Sequence, residues 1–194
     1  MKNKPTVIDL FCGCGGLSYG FIEAGYDVLL GIDHWKDAVV TFENTHQNAK
    51  GIVSDLFTET PKEIEQKTGI KNVDVIIGGP PCQGFSIAGK RIVDDERNKL
   101  YKSFVSFVKY YQPKVFLMEN VPNIVSMGKG VVKDSIIEDF EKLGYTVVYK
   151  VLLASDFGVP QNRERVIFLC SKDKKIELPL PTINKPITVR EAIE

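Results

Sequence analysis

The segment Val73-Asp-Val-Ile-Ile-Gly-Gly79 constrains the fold more than any other. It is apolar at almost every position, and a strand of that kind needs cover on both faces. Such cover is the environment of a parallel sheet between two layers of helices. The rest of the chain has the matching rhythm, short apolar runs alternating with amphipathic stretches. Residues 7–11, 28–33, 51–54, 115–119, 146–152 and 165–170 read as further strands, the last two as an antiparallel pair at one end of the sheet. Residues 17–24, 36–44, 61–67, 97–111 and 131–143 read as helices; Leu100, Phe104, Phe107, Val108 and Tyr111 recur at helical spacing in the fourth. Residues 80–96 form a long loop, which in a compact domain is more often a functional lid than filler.

Bulk properties exclude several classes. The 194 residues are 43% hydrophobic and 26% charged, ordinary for a globular chain with a substantial core. Basic and acidic side chains balance at 25 each. Because phosphate contacts depend on basic surface, this balance argues against nucleic acid unless a basic region is local or lies elsewhere. Cys12, Cys14, Cys82 and Cys170 make no C-x-x-C pair and the chain has two histidines, so no metal site is expected. The start of the chain is not a signal peptide, and no run reaches the ~20 apolar residues that span a bilayer. Free thiols fit a reducing cytoplasm. Pro179, Pro181 and Pro186 mark an extended connector, and Thr188-Val-Arg-Glu191 has the spacing of a helix capping box. The expected organisation is a domain over 1–172 and a connector with the start of a helix over 173–194, the whole being a fragment or one subunit of a split protein.

Three stretches carry chemistry. Asp9-Leu-Phe-Cys-Gly-Cys-Gly-Gly16 sits where the first strand turns into the first helix, so its glycines let the backbone approach a ligand and the helix start offers free N–H groups. Ser18 stands where a dinucleotide fingerprint would have its third glycine. Asp33, at the end of the second strand, can accept hydrogen bonds from ribose hydroxyls. The pair favours an adenosine-containing cofactor without choosing between a nicotinamide dinucleotide and S-adenosylmethionine. Gly78-Gly-Pro-Pro-Cys-Gln-Gly-Phe-Ser86 follows the fourth strand, at the sheet end where open α/β folds bind ligands. Pro80 and Pro81 stiffen the approach to Cys82, and Gly84 and Gly89 free the loop behind it. A thiol there suits a covalent nucleophile, the bland alternative being an inert half-buried cysteine. Glu119 closes the fifth strand beside it, as an acid or hydrogen-bond partner. Alternation before the last strand puts Gln161, Arg163 and Arg165 on one face, towards the site.

Taken in this order, the segments resemble the cytosine-5 DNA methyltransferases of bacterial restriction-modification systems: Phe11-x-Gly13-x-Gly15-Gly16 their cofactor loop, Pro81-Cys82-Gln83 their nucleophile motif, Glu119-Asn120-Val121 their acid motif, and Gln161-x-Arg163-x-Arg165 their arginine motif. The resemblance covers nearly the whole chain. It implies a Rossmann-like methyltransferase fold, α/β, with a mostly parallel seven-stranded sheet, helices on both faces and an antiparallel strand at one edge. It implies S-adenosylmethionine as cofactor, no metal, and double-stranded DNA with a flipped cytosine as partner. Cys82 would add to C6 of the base, Glu119 engage N3, and Arg165, with Arg163 nearby, hold the exocyclic oxygen. Phe11, Gly13, Gly15 and Gly16 would hold the methionine and adenosine portions, Asp33 the ribose, and Asp55 with Leu56 the adenine amino group. Pro81 and Leu100 would line the adenosine pocket, with His34 where some relatives place an aromatic ring. Asn120 would brace the loop bearing Cys82. The family's target-recognition region follows the arginine motif and is absent from this sequence, so a C-terminal half or second subunit is expected to carry it. Two other readings share some of these features: a tRNA cytosine-5 methyltransferase, which has the same chemistry, and a nicotinamide-dependent oxidoreductase, which leaves Cys82, Glu119 and Arg165 without roles. A non-catalytic subunit on the same scaffold would not need those three residues together.

Overall fold

The computed structural model describes residues 4–81, 99–173 and 176–194. Seven strands, β1 (Thr6–Leu10), β2 (Asp27–Asp33), β3 (Lys50–Val53), β4 (Val75–Gly78), β5 (Val115–Asn120), β6 (Thr146–Leu153) and β7 (Glu164–Ser171), form one sheet in the order β3-β2-β1-β4-β5-β7-β6. The helices are α1 (Gly16–Glu23), α2 (Lys36–Thr45), α3 (Pro61–Thr68), α4 (Lys99–Tyr111), α5 (Asn123–Ser126), α6 (Val131–Lys142) and α7 (Val189–Ile193).

The double cover expected of β4 is present, since all four of its residues are buried. Alternation along the strands divides the core between the two faces. Ile8, Leu10, Leu30, Ile32 and Ile76 join Phe104, Phe107, Phe116, Phe140 and Phe168 in the larger cluster. Val7, Val28, Val75 and Ile77 join Phe42 of α2 in the smaller one. Phe116 centres the larger cluster, edge-on to Phe140 at 4.6 Å and to Tyr145 at 4.8 Å.

β1 to β5 run parallel to one another. The antiparallel pair expected at one end is β6 with β7, and β7 inserts between β5 and β6, antiparallel to both. The reversed strand therefore stands one place in from the edge. This placement matters for the site, because it puts the start of β7 beside the end of β5. The expected capping box forms, Thr188 and Glu191 opening α7, and a second, Thr60 with Glu63, opens α3. The stretch before α7 is tethered, with Asp156 O accepting from Thr182 N at 3.0 Å and Ile183 N at 3.3 Å. Among the described residues no helix is long and apolar enough to cross a membrane.

Sequence periodicity misses three short elements. α5 and the 3-10 turn Met127–Gly130 follow β5, and four residues apiece are too few to display a helical period. The 3-10 turn Ala154–Phe157 joins β6 to the approach to β7.

Candidate active site

The carboxyl ends of β1, β2, β4 and β5 open onto a trough with three adjoining parts. The first, about 250 Å³, is lined by Phe11, Asp33, His34, Ser54, Asp55, Leu56, Phe57, Pro81 and Leu100. The second, about 620 Å³, is lined by Asp9, Phe11, Cys12, Gly16, Leu17, Gly79, Glu119, Ala154, Val159 and Arg163. The third, about 370 Å³, is lined by Gly79, Pro80, Pro81, Glu119, Asn120, Val121, Arg163 and Arg165. Phe11 is shared by the first two, and Glu119 and Arg163 by the last two, so the trough is continuous.

Phe11 leaves β1 at φ +61°, a conformation that bulky residues rarely adopt. The loop that follows is tied to β2: Gly13 N donates to Asp33 Oδ2 at 2.9 Å, while Trp35 N donates to Asp33 Oδ1 at 2.9 Å. Asp33 thus braces the glycine loop; His34 Nδ1 also lies 3.3 Å from its Oδ1, while Oδ2 keeps a lone pair for a ligand hydroxyl. Gly15 is obligatory on two counts. Its φ is +89°, and a Cβ there would lie 2.2 Å from His46 Cε1. His46 is itself buried, stacked 4.4 Å from Phe42. The Asp55 turn is closed by Phe57 N donating to Asp55 Oδ1 at 2.9 Å, and the Ser103 hydroxyl of α4 donates to Leu56 O. His34, predicted at the adenine, is 76% exposed at the rim of the first part.

Glu119 anchors the other end. β5 and β7 pair Glu119 with Ile167, so Arg165, two residues earlier on β7, projects on the same face as a diagonal neighbour. Arg165 Nε donates to Glu119 Oε1 at 2.8 Å, and Arg163 Nη2 lies 3.7 Å from the same oxygen. On the far side Gly79 leaves room: a Cβ there would come within 3.2 Å of Glu119 Oε2. Asn120 faces the opposite way and is buried, its Nδ2 donating to Pro80 O at 3.0 Å. That bond ties the end of β5 to the segment that leads into residue 82. Cys82 lies outside the described residues, as do Gln83 to Ser86, Gly89 and the first two residues of the helix expected over 97–111.

The trough thus gathers Phe11, Gly16, Asp33, His34, Asp55, Leu56, Pro81, Leu100, Glu119, Arg163 and Arg165. Gly13 and Gly15 shape the loop behind it. Gln161, expected to share the arginine face, is exposed and makes backbone hydrogen bonds with Val159 and Arg163.

Among the lining residues not singled out from the sequence are Asp9, Ser54 and Phe57. Asp9 is 1% exposed; its Oδ2 accepts from Ser18 Oγ at 2.7 Å, while Oδ1 has no hydrogen-bond partner. Burial raises its pKa to about 7, against the lowering effect of the Ser18 bonds. The signal was available, since a carboxylate at an inward position of an apolar strand is rarely idle. Ser54 and Phe57 flank the Asp55-Leu56 pair and had no such signal. Burial, with the charges of Asp9 and Asp33 behind it, pushes the Cys12 thiol far above the ordinary range.

Comparison with known proteins agrees with this geometry. The profile of the C-5 cytosine-specific DNA methylases matches residues 5–193. The chain is 47% identical over 175 residues to the type II methyltransferase M.DdeI of Desulfomicrobium norvegicum, covering 88% of this chain and 41% of that protein. It is 44% identical over 192 residues to M1.HphI of Haemophilus parahaemolyticus, covering 97% of this chain and 52% of that one. A solved structure of a prophage-encoded E. coli protein, described as a DNA modification methyltransferase, superimposes with a TM-score of 0.80 at 33% identity, covering 97% of this chain and 54% of that one. The chain therefore spans about half the length of these relatives. On the profile match, which runs through both the glycine loop and the arginine strand, this chain belongs to the C-5 cytosine-specific DNA methylase family.

Proposed function

We propose that this chain forms the catalytic and cofactor-binding part of an enzyme that transfers a methyl group from S-adenosylmethionine to C5 of cytosine in double-stranded DNA. The observation that carries the proposal is Glu119, held by Arg165 Nε at 2.8 Å and shared by two parts of the trough, next to the Pro80-Pro81 segment that delivers residue 82.

The trough suits the cofactor. It has apolar walls for a nucleoside, carboxylates at Asp33 and Asp55 for its hydroxyl and amino groups, and, deeper in, an Asp9 oxygen without a donor. Phe11 and the loop of Gly13, Gly15 and Gly16 would hold the cofactor at its centre, Asp33 at the ribose. His34, Asp55, Leu56, Pro81 and Leu100 would surround the adenine. When bound, S-adenosylmethionine supplies an electrophilic methyl group.

An intact cytosine is a poor carbon nucleophile at C5, so the protein must activate it. The base is swung out of the duplex into the third part of the trough. The Cys82 thiolate forms a bond to C6, and the electron pair of the 5,6 double bond moves towards C5 and N3. Glu119 hydrogen-bonds or protonates N3, and the free N–H groups of Arg165 hold the exocyclic oxygen. C5 would then bond to the methyl carbon as the methyl–sulfur bond breaks, its electron pair staying on sulfur, so that S-adenosylhomocysteine is the leaving group. Loss of the C5 proton restores the double bond, and the C6–sulfur bond breaks to release Cys82. Arg165 has a second task, since its charge keeps the Glu119 carboxyl aimed across the gap left by Gly79. The relatives are about twice as long as this chain, which supports placing the region that reads the DNA sequence in further polypeptide. The near-zero charge of these residues is consistent with that division.

Duplex DNA containing 5-fluorocytosine tests the mechanism, because fluorine blocks the final proton loss. Incubated with S-adenosylmethionine and the protein joined to its recognition region, it should become covalently attached to the chain, with the adduct at Cys82 by peptide mapping and none in Cys82→Ser. Trapping on fluorinated tRNA but not on duplex DNA would move the substrate assignment to RNA. Absence of any adduct would sink the covalent route.

A further inference from the structure

We infer that the Ser54 hydroxyl is an additional contact of the cofactor, made to its adenosine portion. The inference rests on reading the first part of the trough as the adenosine site. Ser54 follows the last residue of β3, and its backbone N donates to Asp33 O at 2.9 Å, which fixes its position relative to the end of β2. The residue is 4% exposed and lines the trough between Asp33 and Asp55, yet Oγ has no hydrogen-bond partner. A buried hydroxyl left in that state is destabilising, and folded proteins keep few such groups without a reason.

The neighbours do not supply the missing partner. Asp33, which accepts from Gly13 N and Trp35 N, and Asp55, whose Oδ1 accepts from Phe57 N, are not bonded to Ser54 Oγ. A purine nucleoside presents two kinds of polar group. Its hydroxyls and exocyclic amine donate, and the two carboxylates match them; its ring nitrogens accept, and carboxylates cannot serve them. Among the described lining residues the remaining side-chain donors are Ser54 and His34, and His34 is 76% exposed. Ser54 is therefore the desolvated donor of this part of the trough, and a hydrogen bond made there discriminates more strongly than one at the wet rim. A site built to hydrogen-bond one face of a ligand also rejects analogues that lack the acceptor.

Ser54→Ala separates this role from a structural one. Calorimetry would compare wild type and variant with S-adenosylhomocysteine and with 5′-methylthioadenosine, which keeps the nucleoside and lacks the amino acid. Thermal unfolding would be followed without ligand. The expected result is about tenfold weaker binding of both ligands, with a ligand-free melting temperature equal to or above that of wild type, since the variant loses only an unsatisfied group. Unchanged affinity for both ligands would overturn the inference, as would a lowered melting temperature with unchanged affinity. A loss confined to S-adenosylhomocysteine would also overturn it, by placing the contact outside the nucleoside. If wild type itself binds neither ligand, the adenosine reading of the trough fails and the role of Ser54 falls with it.

Discussion

Replacing Asp9 with asparagine is expected to change how the stability of the protein depends on pH. The Asp9 carboxyl titrates near pH 7 in the folded chain against an ordinary value of 3.8, with burial as the main cause. Below the ordinary value both states carry the proton and the site contributes no difference. Between the two values the unfolded chain gives up its proton and the folded chain keeps it, so stability falls as pH rises. Above the folded value the loss is complete. The interval is about three pH units, and each unit is worth about 1.4 kcal/mol, so this one group accounts for a fall on the order of 4 kcal/mol. Asparagine cannot ionise and retains an acceptor for the Ser18 hydroxyl. Equilibrium urea unfolding of both proteins between pH 4.5 and pH 8 would measure the effect. The variant should gain steadily on wild type by about 3 kcal/mol across that range, levelling off above neutrality. Two stability curves that run parallel would refute the reasoning, by showing that Asp9 is ionised in the folded state throughout.

Other perturbations follow from the geometry. Asn120→Ala removes the donor to Pro80 O and should cost about 1–3 kcal/mol in urea unfolding, with a larger fall in adduct formation on fluorinated DNA than in S-adenosylhomocysteine affinity. Glu119→Gln should lower tritium transfer to duplex DNA by at least about 100-fold in the protein joined to its recognition region, while S-adenosylhomocysteine binding stays within about twofold by calorimetry. Phe116→Ala opens a void among Phe140, Tyr145 and Phe104 and should cost about 3–5 kcal/mol by the same unfolding assay. Gly15→Ala combines a left-handed backbone with a collision against His46, so S-adenosylhomocysteine affinity should fall by about tenfold or more; unchanged calorimetric binding would mean the loop has another way to fit.

Much of this was legible in the sequence because the relevant signals are local. The apolar runs 73–79 and 115–119 could hardly be anything but covered strands, and they became β4 and β5. The Thr188 capping box forms for the same reason, three-residue spacing being all it requires. The lining of the first part of the trough was anticipated through the family resemblance, which named Phe11, Asp33, Asp55, Pro81 and Leu100 together. What escaped depends on tertiary placement. Position 54 looks like any serine after a strand until the backbone bond to Asp33 aims it at the trough. Asp9 reads as part of a glycine motif until α1 closes over it and leaves one oxygen without a donor. The place of β7 between β5 and β6 was likewise invisible, because pairing order is decided by which edges remain open after the parallel strands assemble.

That insertion has a consequence for how the site tolerates change. Glu119 and Arg165 meet through a rung count between two oppositely running strands, and side chains alternate across the sheet along each strand. Deleting or inserting one residue inside β7 would transfer the guanidinium to the other side of the sheet, a displacement that no rotamer change could recover. Lengthening the turn over 154–163 would leave the rung count untouched. A change of length is thus barred from the strand, so the carboxylate–guanidinium pair inherits its accuracy from main-chain bonding and not from its own side chains.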